Sequence, residues 1–361
     1  MNWSLFGVAL TDLVVILMLS LQPYIGSRTV LFGVFVPAEA RDQEAVRALR
    51  RKFLIMAPAA SVAAALAAGL ARTAVFGGNM EAMVLFCLLL QFVLIGVLWI
   101  YCRQAALKLK EEQRWQAPAS GKRVASLSFP RQAATIGNSW YLVHLLIAAL
   151  CVIFAISVWD RIPQTLVTHY GLDGTPDGFS PKSVGSVFMP NFVQLGMIVL
   201  FGVMNTVIRL TRQSLDPQHP EQSMNRQVKF RRVSSFFLWG LSLIIVLFMG
   251  VIQGSMIYGW PANVVLRMAV VLPVLLFAAV LAFVSYLVRN NLDQQGDPTI
   301  QDDRYWRGGG MVYYNPNDTA LFVPKRVGIG WTINFARPLG WIILLAIIAF
   351  IVLVASFAEG K

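Results

Sequence analysis

The sequence predicts an all-α integral membrane protein of about eight transmembrane helices, with a small β-hairpin-containing cytoplasmic loop module before the last helix. Three observations predict it. The chain is 57% hydrophobic and only 13% charged, against about 25% charged in an average soluble domain. Its mean hydropathy is +0.63. Its apolar residues fall in runs long enough to cross about 30 Å of hydrocarbon at about 1.5 Å per residue.

The runs place spans near 5–22, 53–71, 82–101, 140–159, 189–208, 236–257, 264–288 and 339–357. The second is Ala-rich, with Pro58 in its first turns, where proline is tolerated. Pro273 is expected to kink the seventh. The first run lacks a basic stretch before it and a small-x-small cleavage site after it, so it reads as a retained helix.

Basic residues alternate with the spans. The linkers 24–52, 102–139, 209–235 and 289–338 hold 25 of the 30 Lys and Arg residues. The opposite side has Arg72, Arg161, Lys182 and Lys361, with Arg267 at a helix end. The positive-inside rule therefore places the four rich linkers in the cytoplasm and both termini outside. The same patterning explains the net charge of +12 without nucleic acid. Trp3, Trp99, Trp140, Trp159, Trp260 and Trp341 fall near span ends, as interface anchors do. Cys87, Cys102 and Cys151 lie in or beside apolar runs and read as packing residues.

The resulting organisation has five parts. Residues 1–159 form a four-helix membrane bundle with cytoplasmic loops 24–52 and 102–139, and 160–188 form an extracytoplasmic loop. Residues 189–288 form a second membrane segment of three helices, 289–338 a cytoplasmic hairpin-like module, and 339–361 the last span with an external C-terminus. Residues 38–52 read as a short helix leading into the second span. Residues 103–114 read as an extension of the third. No internal repeat is evident.

Two linkers carry more than connection. The outer one contains His169, Tyr170, Asp173, Asp177 and Lys182 among dense turn formers, with Asp-Gly twice. A histidine and two carboxylates spaced by four could hold a divalent metal or move a proton. The Asp-Gly pairs need no explanation beyond turns, with Asp173 and Asp177 capping them and His169 packing at the membrane surface. The inner linker places apolar strand formers on both sides of Asn315-Pro316-Asn317-Asp318, which predicts a hairpin about that turn. Gly308-Gly309-Gly310 lacks the Lys-Ser/Thr of a phosphate loop and reads as a flexible entry to the hairpin. Arg304, Trp306, Lys325, Arg326 and Trp331 are its candidates for contact with a cytoplasmic partner or anionic lipid surface.

The run Ile162-Pro163 to Lys182 resembles the signature loop of a bacterial membrane-protein family of unknown function that includes SdpI-type immunity proteins. Ile162 and Pro163, Leu166 and Val167, His169 and Tyr170, Gly174, Asp177 and Lys182 carry the likeness. Val167 stands where that pattern has a second proline, and Tyr170 where it has Trp or Phe. Residues 302–335 resemble a small C-terminal domain, also of unknown function, of related bacterial proteins. Arg28 to Pro37 is similar to a stretch of such proteins too. The resemblance implies a multi-pass protein of the bacterial inner membrane with an immunity or signalling role.

Within the spans, Asp12 is the one deeply placed acid, and buried intramembrane carboxylates are costly and often functional. His144, Gln91 and Asn205 are further polar residues there. The reading that follows is a non-enzymatic protein with no cofactor and no metal. It binds an envelope-active peptide or lipid through His169, Tyr170, Asp173, Asp177, Lys182 and Asp12. Two rivals stay open. One is a transporter of small molecules or lipids, with Asp12, His144 and Asn205 lining a path. The other is a metal-dependent membrane enzyme using the outer loop. No HExxH, GxSxG or Cys-His arrangement is present.

Overall fold

The computed structural model describes the chain except for residues 1–2, 28, 117–129, 131–133, 172–174, 212, 214, 216–218, 293–302 and 359–361. Eight long helices dominate it: α1 (Trp3–Leu21), α2 (Glu44–Leu70), α3 (Met80–Glu112), α4 (Leu142–Ser157), α5 (Val184–Leu210), α6 (Pro220–Tyr258), α7 (Ala262–Arg289) and α8 (Pro338–Ala358). Among the described residues, seven helices are long and apolar enough to cross a membrane. The eighth, α8, is 21 residues of nearly unbroken apolar sequence. Their outward faces display large apolar side chains, including Leu66, Val97, Ile153, Val199 and Ile342, each at least half exposed. A water-soluble chain rarely exposes such faces, whereas lipid tails solvate them.

The helices start and stop where local chemistry directs. Asn79 caps α3 by accepting from Ala82 N at 3.0 Å. Ser183 and Ser186 form a reciprocal capping box at the start of α5. Pro220 opens α6, and Gly259, at φ +58°, closes it in the left-handed conformation. The helix leading into the second span begins at Glu44 and runs on without a break, so Pro58 sits mid-helix; residues 38–40 form a separate 3₁₀ turn.

Polar groups join the helices inside. Gln194 donates to Val246 O at 2.9 Å, Asn191 donates to Gln194 Oε1 at 2.8 Å, and Gln253 donates to Asn191 Oδ1 at 2.6 Å. All three side chains are buried between α5 and α6. Such bonds hold helices together where water cannot compete. At Gly196 the ring of Phe350 lies where a Cβ would be, so α5 and α8 meet through the absence of a side chain.

One end of the bundle carries a hairpin of β3 (Thr165–Tyr170) and β4 (Pro176–Pro181). It rests on a cluster of Ala155, Ile162, Leu166, Val187 and Ile257, where α4, α5 and α6 end or begin.

The opposite end is built from three stretches far apart in sequence. The first is a hairpin of β1 (Val30–Leu31) and β2 (Val34–Phe35). The second is the last turns of α3. The third is residues 303–337, with β5 (Trp306–Arg307), β6 (Val312–Tyr313), β7 (Phe322–Pro324) and β8 (Trp331–Ile333). Phe32 meets Trp99 and Phe53 at ring separations of 5.0 and 5.3 Å. Arg103 of α3 donates to Phe32 O at 3.2 Å and Gly33 O at 2.6 Å. Trp99 is therefore a core residue, 6% exposed, and not an interface anchor.

The strand pairing corrects the expected hairpin. β6 pairs with β5 and β7 with β8, so no hairpin forms about Asn315–Asp318. Gly308, Gly309 and Gly310 form the β5–β6 turn itself, all at positive φ. Ordinary residues resist that region, and glycine does not.

The two hairpins touch through glycine. A Cβ on Gly33, at φ +69°, would lie 2.3 Å from Gly309 O. Gly33→Ala is thus expected to lower stability by about 2–4 kcal/mol, from left-handed strain plus a backbone clash. Thermal unfolding of the purified protein in detergent checks it. Gly77→Ala, also at positive φ (+55°) but in open space, isolates the strain alone.

Candidate functional site

A cavity of about 630 Å³ opens near the β3–β4 hairpin, a volume typical of small-ligand pockets. α1, α2, α3 and α7 form its walls. Small residues make the room: Gly7 on α1 and Ala65, Ala68 and Gly69 on α2. Met83, Leu88, Phe92 and Leu266 make it mostly apolar. Asp12 contributes a carboxyl to the lining, and Tyr170 and Gly171 of the hairpin complete the rim.

Gln91 of α3 stands beside the Asp12 carboxyl. It is 1% exposed. Its amide group and the Asp12 carboxyl lie buried side by side. Cys87, one turn earlier on α3, also lies against the Asp12 side of the cavity.

The hairpin sets Tyr170 in place. Its register shifts between Val167 and His169 and again between His169 and Tyr170, which rotates successive side chains. Gly178 faces His169 so closely that a Cβ there would sit 2.6 Å from His169 Cβ. Burial at the rim pushes the Tyr170 phenol above its ordinary pKa, so it stays a neutral donor and acceptor.

The remaining outer-loop candidates do not converge on the cavity. His169 Nδ1 and Asp177 Oδ1 are 2.5 Å apart across the hairpin, with 64% and 44% of their side chains exposed. That contact staples the strands on their open face. Lys182 donates to Trp159 O at 2.6 Å and lies 5.0 Å over the Trp159 ring. It ties β4 to the end of α4. Asp173 lies outside the described residues. Among the described residues, no group of three His, Cys, Asp or Glu side chains could hold a metal ion.

His144 and Asn205 do not join Asp12. His144 is fully buried and its Nε2 meets Ser242 Oγ at 2.9 Å and Trp239 O at 3.2 Å. Asn205 donates to Ile136 O at 3.1 Å and to Asn138 Oδ1 at 2.8 Å, and accepts from Ser235. Both knit α4, α5 and α6 together.

At the opposite end, the five inner-loop candidates divide. Trp306 is 4% and Arg326 1% exposed, so neither presents a surface to a partner. Trp306 packs on Tyr313 at 5.1 Å. Arg326 donates to Asp303, which also accepts from Lys110 of α3. Trp331 meets Phe230 of α6 at 5.2 Å and fastens the module to the bundle. Lys325 is exposed, and Arg304 lies 5.6 Å over the Tyr305 ring. Sequence reasoning missed Asp303 and Arg103; charged residues among other charged residues of the basic linkers give little signal until distant stretches meet.

Residues 146–193 match the family described as Domain of unknown function (DUF1648). That stretch is α4, the β3–β4 hairpin and the first turns of α5. Residues 316–341 match the family described as Family of unknown function (DUF5808). These run from the Asn315–Asp318 turn through β7 and β8 into α8. No curated protein and no solved structure matches the chain.

Proposed function

We propose that this chain is a bacterial cytoplasmic-membrane protein that crosses the bilayer eight times, with both termini outside. In this reading it binds an amphiphilic peptide or lipid from the outer side, in the manner expected of SdpI-type immunity and signalling proteins. The observation that carries the reading is the apolar cavity with one carboxyl inside and one tyrosine at its rim. Apolar walls suit a hydrocarbon or apolar side chain. Asp12, with Gln91 behind it, suits an amine or other donor group, whose charge or hydrogen bond would be strong in an apolar site. The module at the basic end would face the cytoplasm and relay occupancy to a partner there.

The test uses cells lacking the gene and complemented with intact or variant protein, challenged with envelope-active peptides. Asp12→Asn keeps shape but removes the charge, and is expected to lower protection by about tenfold, the equivalent of about 1.4 kcal/mol of binding. Full protection by Asp12→Asn and by Tyr170→Ala at equal membrane abundance would overturn the reading. Topology is tested separately, by impermeant labelling of cysteines placed at 116 and 325, which should stay unreactive from outside intact cells. The transporter path receives no support from His144 and Asn205, whose polar groups serve interhelical bonds.

A further inference from the structure

A second cavity, of about 840 Å³, lies at the other end of the bundle, around the first turns of α2. Its lining is cationic. Arg41, Arg47, Arg50, Arg51 and Lys52 face Asp42 and Glu44, an excess of three positive charges. Glu44 is already engaged with Arg47 at 3.1 Å, on the exposed rim. Lys52 donates to Tyr101 Oη at 2.8 Å and lies 4.4 Å over that ring.

Arg50 is the unusual member. It is 7% exposed, yet lines the cavity, and its Nε has no hydrogen-bond partner. The groups acting on it are Arg41, a like charge, with Tyr24 and Asp42. A guanidinium carries five donors in a fixed fork, and burying one with donors unused is costly unless an oxygen-rich anion completes it. The start of α2 adds the positive end of its helix dipole.

The cavity also has an apolar side. Ile55 lines it and is 59% exposed. Met56 of α2 and Val97 and Ile100 of α3 are likewise exposed apolar side chains. Tyr101, half exposed, marks the boundary as interfacial tyrosines do.

We propose that this cavity binds a phosphate group, with Arg50 as its buried anchor and Arg41 and Arg51 completing the cradle. The apolar side favours a phospholipid phosphate, its acyl chains lying along Ile55 and α3, over a free phosphate. The site stands apart from the Asp12 cavity and does not depend on which leaflet it faces.

The test reconstitutes the full-length protein in vesicles of about three parts phosphatidylcholine to one part phosphatidylglycerol. The protein is extracted with its lipid ring, and the retained lipids are quantified. A second arm titrates inorganic phosphate onto protein in phosphatidylcholine alone. Phosphatidylglycerol is expected about fivefold above bulk around the intact protein, and near bulk for Arg50→Gln and for Arg41→Gln/Arg51→Gln. Arg289→Gln, at an exposed position on α7, should keep the enrichment. Saturable phosphate binding lost in the same variants would support the phosphate site with a free-phosphate source. The double variant alters exposed or half-buried side chains, so the test survives a folding defect in Arg50→Gln. Enrichment equal in all variants, equal loss in Arg289→Gln, or no binding in either arm would overturn the proposal.

Discussion

Asp303→Ala is expected to detach the module from α3 and to lower the stability of the intact protein by about 3–5 kcal/mol, the range for removing one partner of a buried ion pair. Asp303 is the carboxylate shared by Arg326 of the module and Lys110 of α3. The Arg326 side chain is fully buried. Without Asp303 its charge loses the carboxylate that faces it, and burial makes that loss large. Lys110, further out, regains some water. The cost therefore sits mainly at Arg326, which gives a discriminating arm. Asp303→Asn/Arg326→Met replaces the pair with uncharged groups of similar size and should recover most of the loss. Thermal unfolding in detergent reads stability, and trypsin cleavage at Lys325 reads detachment. If the single and double variants unfold alike, the cost does not lie in leaving Arg326 buried without its carboxylate.

The same pair sets a pH dependence. Burial on its own raises the Asp303 pKa, but the Arg326 charge and the Lys110 bond and charge outweigh it and hold the carboxyl below its ordinary 3.8. A depressed carboxyl contributes stability above its unfolded pKa and loses it as pH falls through the folded one. Module stability from this pair is thus flat from neutrality down to about pH 4 and declines below it. Asp303→Asn removes that decline, since the variant has no proton to gain.

The spans were legible because apolar length is a one-dimensional property, and seven helices carry it in the structure. What could not be read was how the linkers meet. Arg28–Pro37 and residues 302–335 each looked like a separate patch. In space Gly33 closes on Gly309 and Gly310, and a bridge pairs Gly26 with Gly328. Contacts through glycine leave no hydrophobic pattern to detect. The hairpin expected about Asn315–Asp318 does not form, for a related reason. Asn-Pro-Asn-Asp is a turn signal, and the turn is there, but the strands beside it choose partners through the glycine turns at 308–310 and 325–330. At the cavity beside the β3–β4 hairpin Asp12 was visible as a lone acid among apolar residues. The nearness of Gln91 to it and the small-residue walls were not, because only helix packing brings them together.

Asn334→Ala is expected to cost about 3–5 kcal/mol and to disorganise residues 315–337, though Asn334 touches no candidate ligand. The residue is fully buried. Its amide donates to the carbonyl oxygens of Asn315, Asp318 and Ala320 at 2.9, 3.0 and 3.3 Å, and its Oδ1 accepts from Asn315 N and Ala336 N at 3.0 and 3.2 Å. One side chain therefore supplies the partners that a paired strand would have given this turn. That is why Asn315–Asp318 is ordered without a hairpin around it. Alanine strands several buried backbone groups at about 1–3 kcal/mol each, partly offset where water enters or Arg337, which already donates to Asp318 O at 2.6 Å, takes up the slack. Asn334→Asp separates the two halves of the role. It keeps the acceptor for Asn315 N and Ala336 N and replaces the donating amide with a charge facing three carbonyls, so it should be at least as damaging as alanine. Hydrogen exchange of the intact protein checks both. Protection should fall across 315–336 while the α5–α6 amides stay protected, and a variant with native exchange at Asn315 and Ala336 would show that the backbone holds this turn without Asn334.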